Sequence, residues 1–145
     1  MEATPFIEMS SHYEAIRQAL LEDSVEGVAE HGSAIQDLAK SLLENFDAAK
    51  ASMPDQQSAS FQTTLEEIQS AASSLSAANS LTSARGDFFT LTKPMARYRH
   101  LTGDQDTVIA YCPMAQKAWI QPDGEIGNPY LGQEMPKCGD VVKEG

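Results

Sequence analysis

Two short segments near the C-terminal end of this 145-residue chain gather the side chains best suited to chemistry: Cys112-Pro113-Met114 and Met135-Pro136-Lys137-Cys138. Each places a thiol and a thioether within a few residues. Both are soft, polarisable donors matched to Cu(I), whereas Mg, Ca and Mn prefer oxygen. Zinc usually takes Cys and His, and only His100 lies near in sequence; it is a candidate nitrogen ligand, although a helix-end histidine more often meets terminal carbonyls. Met95 is a candidate spare thioether or a core residue. Trp119 is a candidate shield for a soft cation through its ring face, or an anchor packing the segment on its neighbours. A proline in each thiol segment stiffens the backbone and lowers the ordering cost of a site.

The same residues support other readings. Cys112 and Cys138 can close a structural disulfide over a loop of about 27 residues, contributing about 3 to 4 kcal/mol in the chain-entropy model. The thiols can be inert or redox-active, and the methionines can be gap fillers. No Cys-x-x-Cys is present, which argues against a thiol oxidoreductase. Glu66-Glu67 and Glu22-Asp23 read as solvated faces and caps, with no second acid or histidine placed for general acid–base work. His12 and His31 read as solvent-facing, without a partner pattern.

The elements that must position the sulfurs change character near residue 103. Before it, Ala, Ser, Leu, Gln and Glu dominate at helical period. After it come most of the prolines, both cysteines and the single tryptophan. Ser11 with Glu14 has capping-box spacing, followed by Tyr13, Ile16 and Leu20 on one face. Asp23 with Glu26 suggests a restart, and Val28, Gly32, Ile35, Ala39, Leu42, Phe46 and Ala49 then form an apolar stripe ended by Met53-Pro54-Asp55. Phe61, Leu65, Ile68, Ala72 and Leu75 mark a third helix. Leu81, Ala84, Phe88, Leu91, Met95 and Tyr98 mark a fourth, with a kink or early end expected at Pro94. Beyond Gly103, Asp106–Tyr111 and Ala118–Gln121 read as short strands, and Pro122-Asp123-Gly124 as a turn.

The expected fold is mainly α: an up-and-down helical bundle over about residues 10–102, carrying a small irregular or β-ribbon cap over about 103–141, in a single domain spanning 1–145. A net charge of -11, from 10 Lys+Arg against 21 Asp+Glu, argues against nucleic acid or an anionic membrane as partner. No apolar run is long enough to span a bilayer, so direct membrane insertion is not expected. The chain as given shows no secretory signal peptide, and Met1 with Glu2-Ala3-Thr4-Pro5 is compatible with a natural start, a mature form or a fragment.

The motifs Tyr111-Cys112-Pro113-Met114-Ala115, Trp119-Ile120-Gln121, Ile126-Gly127-Asn128-Pro129-Tyr130-Leu131-Gly132, and Met135 with Cys138-Gly139 occur in an order that resembles a bacterial family, the domain of unknown function 3347 (DUF3347). Ala84-Arg85 with Phe88 and Leu91 extends the resemblance into the helices, so that it covers about Tyr13 to Gly139. Members occur alone or at the C-terminal end of periplasmic adaptor subunits (membrane fusion proteins) of heavy-metal efflux pumps. The resemblance implies a periplasmic, non-enzymatic metal-binding module connected to copper or silver export. It implies Cys112, Met114, Met135 and Cys138 as the metal-binding positions, with the metal ion and an efflux-pump adaptor or other envelope protein as partners. Leu131 stands where the family usually has Phe, and Pro136 departs from the pattern after Met135 and bears on the direction of that sulfur. With the resemblance, soft-metal binding ranks ahead of the disulfide, and the two can be oxidation states of one site. The alternative is a disulfide-stapled helical interaction domain of an envelope complex.

Overall fold

A computed structural model describes residues 4–142; of the expected single span, residues 1–3 and 143–145 lie outside the described residues. Four long helices, α1 (Pro5–Leu21), α2 (Val28–Glu44), α4 (Ser58–Ser76) and α5 (Leu81–Thr102), form the bundle; the single turn α3 (Phe46–Ala49) lies in the connection between α2 and α4. α1 packs on α2 and α5, and α4 packs on the same two helices, so the four apolar stripes close on one another. Phe61, Leu65, Ile68, Ala72 and Leu75 are buried, as are Ala84, Phe88, Leu91, Met95 and Tyr98. Removing such side chains from water is what drives assembly, at about 1.5 to 3 kcal/mol for each large one. Gly32 allows the α2–α4 contact to be close: a Cβ there would lie 3.0 Å from Leu75 Cβ and 3.1 Å from the Ser76 nitrogen.

Helix boundaries depart from expectation at three places. α1 begins at Pro5, not near Ser11, because the Thr4 side chain accepts from the Ile7 N–H and Pro5 occupies a first-turn position that needs no donor. This adds Phe6 and Met9 to the stripe, both buried. The second apolar stripe is divided at Asn45, where α2 ends, before Phe46–Ala49 forms a separate turn. α5 runs through Pro94 to Thr102 without an early end, because Met95, Tyr98 and Arg99 beyond the proline are buried and hold the second half in place.

The cap is a three-stranded antiparallel sheet in the order β2-β1-β3, built from β1 (Thr107–Cys112), β2 (Lys117–Pro122) and β3 (Asp140–Val141). β1 and β2 form a hairpin with Cys112 opposite Lys117. Its turn is Pro113–Gln116, closed by the Gln116 N–H donating to the Cys112 carbonyl at 2.8 Å, with Gln116 at φ 56°. Pro122 is the last residue of β2, and Asp123-Gly124 after it open the 123–139 loop, which returns to β3. β1 pairs with β3 through Ala110↔Val141 and Tyr111↔Asp140, which sets Cys112 and Cys138 side by side.

Candidate functional site

Cys112 and Cys138, 26 positions apart, are joined by a disulfide with their α-carbons 5.5 Å apart, inside the usual range for the bond. Cys112 is completely buried at the end of β1, while Cys138 is partly covered. Each cysteine shares a tight turn with a methionine. The Ala115 N–H donates to Cys112 Sγ at 3.3 Å across Pro113-Met114, and the Cys138 N–H donates to the Met135 carbonyl at 3.2 Å. The two thioethers are exposed, Met114 at 69% and Met135 at 41%. Four sulfur-bearing residues are therefore gathered around one covalent junction, the thiols linked and the thioethers open to solvent.

The remaining candidates are distributed differently. Trp119 is completely buried, opposite Ala110 in the β1–β2 register. Its ring edge lies against the backbone just after Cys138: a Cβ at Gly139 would come within 2.8 Å of Trp119 Cη2, and Gly139 has φ +147°. Both observations require glycine at that position. Met95 is 1% exposed in the core. His100 is exposed in the last turn of α5 and lines a surface cleft with Thr107 and Val108, at the start of β1. Cys112 is at the other end of that strand, roughly 15 Å away at the usual rise per residue, so the structure does not bring His100 to the sulfurs.

What holds the two sulfur segments together, apart from the bond, is a set of side chains that spacing alone does not single out. Asn128 is completely buried. Its Oδ1 accepts from the Tyr130 and Leu131 N–H groups at 2.8 and 3.0 Å, its Nδ2 donates to the Cys138 carbonyl at 2.9 Å, and its own N–H donates to the Pro136 carbonyl at 2.8 Å. One residue thus ties both ends of the loop. Gln121 accepts from the Trp119 indole and the Gly127 N–H, and donates to the Glu125 carbonyl.

Three arginines dock this assembly on the helices. Arg17 donates to the Gly127 carbonyl at 2.8 Å while gripping Glu14 bidentately. Arg85 donates to the Pro129 and Leu20 carbonyls and to Asp23, each at 2.8 Å. The hydrogen bond from Arg85 is the main reason the Asp23 carboxyl is held below the usual carboxylate range. Arg99 donates to the Thr107 carbonyl at 2.6 Å. The sequence signal for these residues is a cation near a helix end and, for Arg17, an otherwise apolar face.

The outer edge of β2 faces the bundle and is closed by two phenols. Tyr130 donates to the Ala118 carbonyl at 2.6 Å, and Tyr13 accepts from the Ile120 N–H at 3.1 Å. Tyr13 and Thr92 are in turn 2.7 Å apart, and Thr92 donates to the Phe88 carbonyl at 2.9 Å. Burial pushes the Tyr13 and Tyr130 hydroxyls upward in pKa, keeping them neutral.

One pair departs from the sequence reading entirely. His12 and His31, read as solvent-facing without partners, meet between α1 and α2 with their Nδ1 atoms 2.9 Å apart. The signal was their place beside the buried stripe residues Tyr13 and Gly32. Burial, followed by the charge of His31, lowers the His12 pKa, and Glu8 opposes the shift.

Among the described residues no group of three or more His, Cys, Asp or Glu side chains is arranged to hold a metal ion. No helix among them is long and apolar enough to cross a membrane. Compared with family models, curated proteins and solved structures, the chain matches none.

Proposed function

We propose that this chain is a non-enzymatic, periplasmic soft-metal module connected with heavy-metal efflux or metal buffering, taking Cu(I) or Ag(I) as cargo when the Cys112–Cys138 bond is reduced. The observation that carries the reading is the convergence of two cysteines at a Cα separation of 5.5 Å, each sharing a turn with a solvent-exposed methionine. The donor set fits a soft monovalent cation: two thiolates and two thioethers, with no oxygen ligand required. The resemblance of Tyr111–Ala115, Trp119–Gln121, Ile126–Gly132, Met135 and Cys138-Gly139 to DUF3347 supports the envelope setting and the link to copper or silver export.

An external dithiol reductant supplies the two electrons and two protons by thiol–disulfide exchange and is itself left as a disulfide, giving two thiols on this chain, and cargo uptake then displaces the thiol protons. The oxidised and metal-binding forms are mutually exclusive states of one pair. Cys112 is buried, so reduction must loosen the Pro113–Gln116 turn before its sulfur can face a ligand. The helices serve as the scaffold, through Arg17, Arg85 and Tyr13.

Competition titration of the reduced protein against a Cu(I) chelator tests the reading. One tightly held equivalent is expected, lost in a Cys112→Ser, Cys138→Ser double variant; equal binding by that variant overturns it. A second reading, a disulfide-stapled helical interaction domain of an envelope complex, is favoured by the bond itself. On that reading reduction lowers thermal stability but confers no Cu(I) affinity above that of the double variant.

A further inference from the structure

The bundle holds a cavity at the end where α1 and α4 begin and α2 and α5 finish. We infer that this cavity is a binding site for a small, uncharged aromatic molecule of one or two rings, carrying a single hydrogen-bonding group that the Tyr98 hydroxyl meets.

The break in the second apolar stripe makes the space. α2 ends before Asn45, and the chain turns through Phe46–Ala49 and Lys50–Ser52 before it reaches α4. A continuous helix would carry large stripe residues across the bundle end, whereas this connection lines the cavity with Ala48 and Ala49, whose side chains are too short to fill it. The cavity measures about 560 Å³, and its apolar walls are chiefly Phe6, Leu42, Met53, Phe61, Tyr98 and Leu101. Ligand sites commonly measure about 300 to 1,000 Å³, and an apolar hole of about 150 Å³ already takes benzene. The Phe6 and Tyr98 rings meet edge to face at 5.0 Å between centroids, and Phe61 is tilted on Tyr98 at 5.4 Å. A guest ring can extend this cluster in the same geometries.

Tyr98 supplies an independent observation. It is only 3% exposed, yet its hydroxyl has no hydrogen-bond partner among the described residues, whereas Tyr13 and Tyr130 have theirs. No side-chain oxygen or nitrogen among those residues is sealed from solvent without a partner. The Tyr98 hydroxyl therefore keeps a path outward, and the cavity that its ring lines is that path. Burial pushes its pKa up to about 12, so it is a neutral donor at physiological pH.

Charge sets the remaining chemistry. No Lys or Arg among the described residues lines the cavity, and the chain carries a net charge of -11, so an anion finds no counter-charge there. Asp104 at the rim is already engaged: it accepts from the Thr107 hydroxyl at 2.6 Å and lies 3.8 Å from Arg99. It is therefore poorly placed to hold a cationic guest, and a neutral one remains.

The test uses the full, disulfide-intact chain with 2-naphthol as probe, and naphthalene and 2-naphthoate for comparison, so its outcome is independent of the Cu(I) reading. Calorimetry is expected to show one saturable equivalent of naphthol. Ring currents from the probe should shift the methyl resonances of Met53 and Leu42 ahead of those of Met114 and Met135. Tyr98→Phe leaves no protein group unpaired and should fold normally; it should weaken naphthol binding about fivefold or more and leave naphthalene binding unchanged. Naphthoate should bind about tenfold or more weakly than naphthol. No saturable naphthol binding, first shifts at Met114 or Met135, naphthol affinity unchanged in Tyr98→Phe, or naphthoate binding as tightly as naphthol would each overturn the assignment. Should the variant fail to fold, the methyl shifts and the naphthoate comparison in the unsubstituted protein decide the matter.

Discussion

The Tyr13 hydroxyl, on the first helix, accepts the Ile120 N–H of the outer cap strand at 3.1 Å, across 107 positions of sequence. It is also 2.7 Å from Thr92, so a single phenol joins α1, α5 and β2. An open strand edge exposes unpaired backbone groups; here Tyr13 and Tyr130 close that edge against the bundle and fix the sheet that carries Cys112.

Tyr13→Phe keeps the ring and its stacking on Phe88, with centroids 4.3 Å apart, but leaves the Ile120 N–H buried without its acceptor. The expected loss is about 1 to 3 kcal/mol, measured by urea unfolding. Hydrogen exchange at Ile120 should accelerate more than exchange in α4.

Reduction of Cys112–Cys138 should lower stability by about 3 to 4 kcal/mol in the chain-entropy model. The cap is expected to stay docked, because Arg17, Arg85 and Asn128 hold it without the bond. Urea titrations with and without reductant, read at the Trp119 fluorescence, give the size of the loss. Trp119 emission in the absence of urea should stay that of a buried indole in both states.

Asn128→Ala removes the acceptor for two backbone N–H groups and the donor to the Cys138 carbonyl. A cost of about 2 to 4 kcal/mol follows from leaving such groups unpaired. Disulfide re-formation after reduction should also slow, because the Cys138 carbonyl loses its side-chain tether and only the backbone bond from residue 128 to the Pro136 carbonyl remains. Thermal unfolding and a timed thiol assay report the two effects separately.

Alkaline pH should unfold the protein through its buried phenols. Burial raises Tyr13 and Tyr130 strongly and pushes Tyr98 up to about 12. A raised folded-state pKa contributes stability fully present below the unfolded value of about 10 and lost as pH rises through the folded value. Tyrosinate absorbance from Tyr13, Tyr98 and Tyr130, all buried, should therefore appear only together with loss of helical circular dichroism.

The helical body was legible because burial at helical period leaves a direct trace: every stripe residue assigned to α4 is buried. The early start of α1 was missed because Ser11-Glu14 competes as a cap with Thr4-Pro5, and only the packing of Phe6 and Met9 favours the latter. The break at Asn45 leaves no mark in the stripe, since Phe46 still packs on the core from a separate turn. Within the cap, the two principal strands were expected; the proximity of Cys112 and Cys138 was required by both the disulfide and the metal readings but could not be read from spacing, and β3 is only two residues long and has no pattern of its own. Arg17, Asn128 and the His12–His31 pair stayed hidden because their roles depend on contacts between distant segments. Met114 and Met135 lie near the cysteines in sequence, but their exposure is a tertiary property that the sequence does not carry.

X-ray absorption at the copper edge, on reduced protein loaded with one equivalent of Cu(I), tests the central claim most directly. A first shell of sulfur alone, lost in the Cys112→Ser, Cys138→Ser variant and diminished by Met114→Leu or Met135→Leu, is the result predicted. A shell of nitrogen or oxygen, or copper that washes away from the reduced protein, would contradict it.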